Sequence, residues 1–170
     1  MKILIDQESI RHRIKELGKR ITLDYKDKKP VFVGILKGAF IFLADLVREI
    51  ELDVEFDFVV VSLYRGEKNP DVIFLEREVL TDLKGRDVIL VDEILDTGRT
   101  FSFLMEHIKN KGAKSVKTCV FLKKNKKRKV DIHPDYWGFE IPDVFVVGYG
   151  LDYKERYRNL PYVGVIDEEG

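Results

Sequence analysis

At 170 residues and 45% hydrophobic content, the chain is long enough for one packed domain. A domain of this size buries roughly two-thirds of its unfolded surface. Thirty basic and thirty acidic residues cancel to zero, without the basic excess of a dedicated nucleic-acid binder. The single cysteine, Cys119, excludes an internal disulfide and a cysteine metal cluster, and its apolar surroundings make it a core residue. No apolar run reaches the ~20 residues of a membrane span. Met1–Ile5 is too short for the apolar region of a signal peptide, so a cytoplasmic protein is expected.

Asp6 is placed to cap a helix that carries Ile10, Ile14, Leu17, Ile21 and Tyr25 along one face. That helix packs on the body, and His12 falls on its solvated side. Val31–Leu36 reads as a buried strand, followed by Lys37-Gly38 and an apolar helix from Ala39 to about Glu49. Backbone amides at such a strand–glycine–helix junction can hold an anion. On spacing alone, a tight turn with a solvated lysine accounts for it better. Val54–Val61 is the next strand. The polar stretch Ser62–Asp71, with its Gly and Pro, has the length of a functional lid or of a plain hairpin tip. Val72–Leu75 and Glu78–Leu80 look like short strands.

The most informative stretch is Val88–Thr100, Val-Ile-Leu-Val-Asp-Glu-Ile-Leu-Asp-Thr-Gly-Arg-Thr. Its branched apolar start predicts a strand buried on both faces in a parallel sheet. Asp92 and Glu93 come at the strand's end. Asp96–Thr100 then turns the chain into a helix bearing Phe101, Leu104, Met105 and Ile108. In an open α/β sheet, ligands bind beyond the carboxyl ends of the strands. A loop there that opens a helix offers free N–H groups and a positive dipole end, which suits a phosphate. Gly98 allows close backbone approach, and Thr97 and Thr100 add hydroxyl donors. The two acids upstream would repel that phosphate, so they suit ribose hydroxyls or a divalent cation. The physical reading is a site for a phosphorylated sugar.

Gly112 ends that helix, and Ser115–Leu122 is another buried strand with Lys123 and Lys124 at its end. Lys123–Lys129 carries six basic residues in seven and reads mostly as a solvated face, Lys126 to Lys129 included. Tyr136–Asp143 and Val144–Tyr153 follow, with Trp137 as core packing. These elements give α/β with a parallel sheet.

The Val-Asp-Glu-Ile-Leu-Asp-Thr-Gly-Arg-Thr segment resembles the phosphoribosyl pyrophosphate (PRPP) signature of type I phosphoribosyltransferases. Leu36-Lys37-Gly38, the Ser62–Asp71 stretch, the lysines after Leu122 and the segment from Tyr136 to Arg158 resemble that family's hypoxanthine-guanine branch, in the same order. The resemblance runs from about Asp6 to Ile166. It implies a mostly parallel five-stranded sheet with helices on both faces, the core at about 30–125. A small hood would come from both chain ends, about 1–10 and 130–170.

It also implies roles. Asp96, Thr97, Gly98, Arg99 and Thr100 hold the 5′-phosphate of PRPP, with Asp96 also the purine-N7 partner and general base. Asp92 and Glu93 meet the ribose. Leu36, Lys37, Gly38 and Arg158 bind pyrophosphate, with the Leu36–Lys37 peptide cis. Tyr64 belongs to the flexible loop, where Leu63 stands in place of the family's serine and Ser62 lies one position early. Ile94, Lys124, Phe145 and Val146 surround the purine, Phe145 by stacking and Lys124 by reading a 6-oxo group, with Lys123 as the alternative reader. Asp152, Asp92 and Glu93 are the metal positions, for Mg²⁺. The implied reaction carries the phosphoribosyl group of PRPP to N9 of hypoxanthine or guanine. The implied assembly is a homodimer or homotetramer, with no membrane or nucleic-acid partner. Two alternatives stand beside this: a xanthine-preferring enzyme, and a PRPP-sensing regulator that binds nucleic acid through the basic stretch.

Overall fold

The structure, a computed structural model, describes residues 1–64, 72–128 and 130–167, with Tyr64 described through its backbone. A six-stranded sheet runs in the order β4-β3-β2-β5-β6-β7. Its strands are β2 (Val31–Leu36), β3 (Glu55–Tyr64), β4 (Val72–Arg77), β5 (Asp87–Leu95), β6 (Ser115–Lys124) and β7 (Tyr136–Ile141). β3, β2, β5, β6 and β7 are mutually parallel, and β4 pairs antiparallel with β3 at one edge. The expected five parallel strands are therefore present, with a sixth added. Val88, Ile89, Leu90 and Val91 have no exposed surface, as a run covered on both faces requires.

Helices cover the two faces. On one lie α1 (Gln7–Asp24) and α2 (Phe40–Val47), which bury Ile10, Ile14, Leu17 and Ile21 with Phe42 and Leu46. Asp6 caps α1 by accepting from Ser9 N at 2.8 Å. On the other lies α3 (Arg99–Asn110), which buries Phe101, Leu104 and Ile108 with Val88 and Leu90. A second sheet, β1 (Lys2–Ile5), β9 (Val163–Val165) and β8 (Val146–Val147), joins the two ends of the chain antiparallel.

Three local expectations change. β7, which the residue-130 boundary put with the hood, pairs with β6 at the edge of the large sheet. β5 does not stop before the paired acids: β6 is long enough to carry the ladder past Asp92↔Val120 to Leu95↔Lys123. Asp92 and Glu93 are thus strand residues. Glu78–Leu80 leaves the sheet because its groups are claimed elsewhere. The Glu78 carboxylate meets His107 at 2.7 Å, Val79 is buried, and Leu80 N donates to Asp57 at 2.8 Å. Among the described residues no helix is long and apolar enough to cross a membrane.

Candidate active site

The carboxyl ends of β2 and β5 and the loops after β6 and β7 share one edge of the large sheet. The loop Asp96–Thr100 leaves β5 there. Gly98 precedes α3 with φ +84°, a left-handed conformation, and a Cβ at this position would lie 2.5 Å from Ile132 Cγ2. Only glycine fits both constraints. Ser102 N donates to Gly98 O at 3.0 Å and begins the helix. The loop walls a concavity of about 180 Å³ with Asp92, Ile94, Leu95 and Phe101. A larger groove of about 510 Å³ lies between α1, α2 and Leu160, with none of the expected site residues in its lining.

The two adjacent acids separate by role of contact. Burial first, then the neighbouring Glu93 charge, raises the Asp92 carboxyl well above the usual carboxylate range. Glu93 lies against the backbone of Gly38, where any Cβ would collide with its carboxylate. The Leu36–Lys37 peptide just before is cis, as the resemblance implies.

One end of this edge gathers charge around Asp96. Lys124 Nζ stands 3.5 Å from Asp96 Oδ2 and 3.5 Å from Asp143 Oδ1. Lys126 Nζ meets Asp96 Oδ1 directly and lies 3.8 Å from Asp143. Burial would raise the Asp96 pKa, but the hydrogen bond from Lys126 and the charges of Lys124 and Lys126 outweigh it and hold it below the usual value. Arg128 donates to the Lys124 carbonyl. Lys123, the alternative reader, is turned away: its ammonium lies 4.9 Å from the centre of the Trp137 ring. Phe145 packs edge-on against Tyr153 at 5.7 Å, and Val146 is buried in β8.

The other end is built on Lys37, Gly38 and the 150–158 turn. Gly150, at φ +100°, packs on the Gly38 carbonyl so closely that a Cβ would clash. Arg158 Nη1 donates to Gly150 O at 2.6 Å, and Arg158 Nη2 lies 3.4 Å from Asp152. Glu155 bridges the two cations, 3.0 Å from Lys37 Nζ and 3.5 Å from Arg158 Nη2. Asp152 accepts from Glu155 N at 2.9 Å and keeps the turn closed.

Contacts therefore link Glu93, Lys37, Gly38, Asp152 and Arg158 in one chain, and Asp96, Thr97, Gly98, Thr100, Ile94 and Asp92 in one concavity. Arg99 opens α3 from the same loop. Tyr64 closes β3 opposite Val72, and residues 65–71 of the proposed lid lie outside the described residues. Ser62 donates to Glu76 at 2.6 Å, an interaction within the β3–β4 pair. Sequence reasoning overlooked Lys126, Asp143, Glu155 and Gly150. Lys126, which the basic run makes look like part of a solvated face, instead meets Asp96. A Pro-Asp after an apolar strand and a glycine pair around Tyr149 were the available signals for Asp143 and Gly150.

Residues 2–154 match the phosphoribosyl transferase domain family, and the chain belongs to that family. Relatives narrow the likeness. The hypoxanthine-guanine phosphoribosyltransferase of Bacillus subtilis is 45% identical over 97% of this chain and 92% of its own. That of Streptococcus pneumoniae is 47% identical over 99% of this chain and 94% of its own. A hypoxanthine phosphoribosyltransferase crystal structure from Staphylococcus aureus superimposes with a TM-score of 0.94 at 39% identity. It covers 99% of this chain and 92% of that one.

Proposed function

We propose that the chain transfers the 5-phosphoribosyl group from PRPP to N9 of hypoxanthine or guanine, releasing IMP or GMP and pyrophosphate in purine salvage. The observation that carries this reading is the placement of Lys124 beside Asp96, next to the phosphate-shaped loop, in a chain whose relatives bear this activity in their names. An ammonium facing the base favours a 6-oxo purine, because adenine presents a donor at that position.

In this reading the loop from Asp96 to Thr100 grips the 5′-phosphate through backbone and hydroxyl donors at the start of α3. Asp92 and Glu93 orient the ribose. Lys37, Gly38 and Arg158 receive the pyrophosphate; the arginine fork suits phosphate oxygens. The bond from C1′ to pyrophosphate breaks as the bond from C1′ to N9 forms, and Asp96 takes the proton from N7. Phe145 stacks on the purine with Val146 and Ile94 at its rim. Catalysis is positioning, leaving-group stabilisation and exclusion of water, so no protein nucleophile is needed.

The donor set fits Mg²⁺. Asp152, Asp92 and Glu93 carry carboxylates, hard oxygen donors of the kind Mg²⁺ takes. Mg²⁺ keeps its waters and typically takes one or two carboxylates with substrate phosphates. Asp152, Asp92 and Glu93 are the residues that would hold it. When bound, the ion supplies neutralisation of the leaving pyrophosphate. The family resemblance supports a homodimer or homotetramer working in the cytoplasm.

The test mixes pure protein with PRPP, Mg²⁺ and each purine base in turn and follows the absorbance change. Turnover with hypoxanthine or guanine and none with adenine is expected. Turnover with xanthine alone moves the specificity. No turnover with any base overturns the assignment.

A further inference from the structure

Lys126 has no part in the transfer as set out above, yet its ammonium makes the tightest contact with Asp96. Asp96 is met by two cations on separate oxygens: Lys126 on Oδ1 and Lys124, at 3.5 Å, on Oδ2. Both lysines also reach Asp143, at 3.8 and 3.5 Å. Lys124 and Lys126 leave only 11% and 27% of their side chains exposed, so these charges are poorly screened.

The proposed reaction makes conflicting demands on this group. A 6-oxo base draws Lys124 toward its carbonyl and takes the counter-charge from Asp96 Oδ2. A half-buried carboxylate that loses its counter-charge rises in pKa and binds a proton. A protonated Asp96 cannot accept from N7. A second cation that does not turn to the base resolves the conflict.

We propose that Lys126 is a positioning residue that keeps Asp96 ionised and aimed while Lys124 engages the purine. The inference rests on the proposed phosphoribosyl transfer. Asp143 completes the arrangement: once Asp96 holds the N7 proton, Lys126 still has a carboxylate partner. The charged groups facing this pair are Lys124 from β6, Asp143 from the segment after β7, and Arg128 from the loop that carries Lys126.

The experiment compares wild type, Lys126→Met and Lys126→Arg in full-length protein. With saturating PRPP, Mg²⁺ and hypoxanthine, the pH profile of kcat is measured, which reports the base-bound complex. In Lys126→Met the acidic limb is expected about one pH unit higher, so turnover well below the shifted midpoint falls about tenfold while the neutral-pH plateau is kept. The KM for PRPP stays within about twofold, and Lys126→Arg returns the limb to its wild-type position. An acidic limb that does not move in Lys126→Met overturns the proposal, as does a rise in the KM for PRPP with the limb fixed. Carbon-13 NMR of the Asp96 carboxyl gives a readout that needs no turnover. Its pKa rises in Lys126→Met if the proposal holds, and an unchanged pKa overturns it. A wild type inactive with every base, together with a shifted Asp96 resonance, would instead locate the failure in the proposed reaction.

Discussion

Asp57, near the start of β3, and Asp96, just beyond the carboxyl end of β5, are carboxylates toward opposite ends of one sheet, both drawn below their usual pKa against the cost of burial. The fold holds them by different means. Asp57 accepts from three backbone N–H groups, those of Phe58, Leu80 and Thr81, at 2.7 to 2.8 Å. Arg77 adds an ion pair at 3.2 Å. Asp96, at the ligand edge, is held by the tips of two lysines. Backbone donors are fixed once the chain has folded, whereas an ammonium on a four-carbon stem can be drawn off by a ligand. The first arrangement is an anchor, and the second is a charge kept available. Each can be removed without touching the other, and that separates stability from turnover.

The largest effect falls on turnover. Asp96→Asn removes the N7 acceptor but keeps the shape, so kcat with hypoxanthine is expected to fall about 10²- to 10³-fold. The KM for PRPP should change little, and thermal unfolding should stay within about 2 °C because the group is partly exposed. Steady-state kinetics with a thermal melt reads both. Activity near wild type would erase the distinction between the two carboxylates.

Asp57→Asn is the converse. Its folded pKa is about 2, because the backbone donors more than offset the burial that would raise it. Against an unfolded value of about 3.9, the difference amounts to about 2–3 kcal/mol at neutral pH. For a chain of this size that lowers Tm by about 5–10 °C. A depressed carboxylate contributes fully above its unfolded pKa and loses that contribution as pH falls through its folded pKa. The gap in unfolding free energy between wild type and variant should therefore close between about pH 4 and pH 2. Catalytic constants at pH 8 should match wild type. Denaturant melts across pH that show a constant gap would contradict the anchor.

The contrast also explains what could be read from the residues. The run Val88–Val91 and the turn at Gly98 are legible because burial on both faces and a positive φ each demand particular residue types locally. Lys124 and Phe145 were found by resemblance; their spacing says only strand end and core. Lys126 and Glu155 escaped because an isolated charge in a basic run or a polar turn looks solvated. Their partners are set by the fold: Glu155 meets Lys37 across 118 residues of sequence. β7 was misplaced for the same reason, since alternation in Tyr136–Ile141 marks a strand and leaves open which sheet it joins.

The smallest expected effect tests whether displaceable charge is a general property of the ligand edge. Glu155 sits between Lys37 and Arg158, the two cations assigned to pyrophosphate, so in the free protein a carboxylate takes the place of an incoming anion. Lys37 and Glu155 keep 69% and 63% of their side chains exposed, so the pair is weak and a phosphate dianion should displace it readily. Glu155→Gln removes the competitor while preserving shape. Pyrophosphate with Mg²⁺ should then bind about two- to fivefold more tightly by calorimetry, with the gain shrinking as salt is raised. Weaker binding in the variant would make Glu155 part of the site's support, closer in kind to Asp57 than to a charge a ligand displaces.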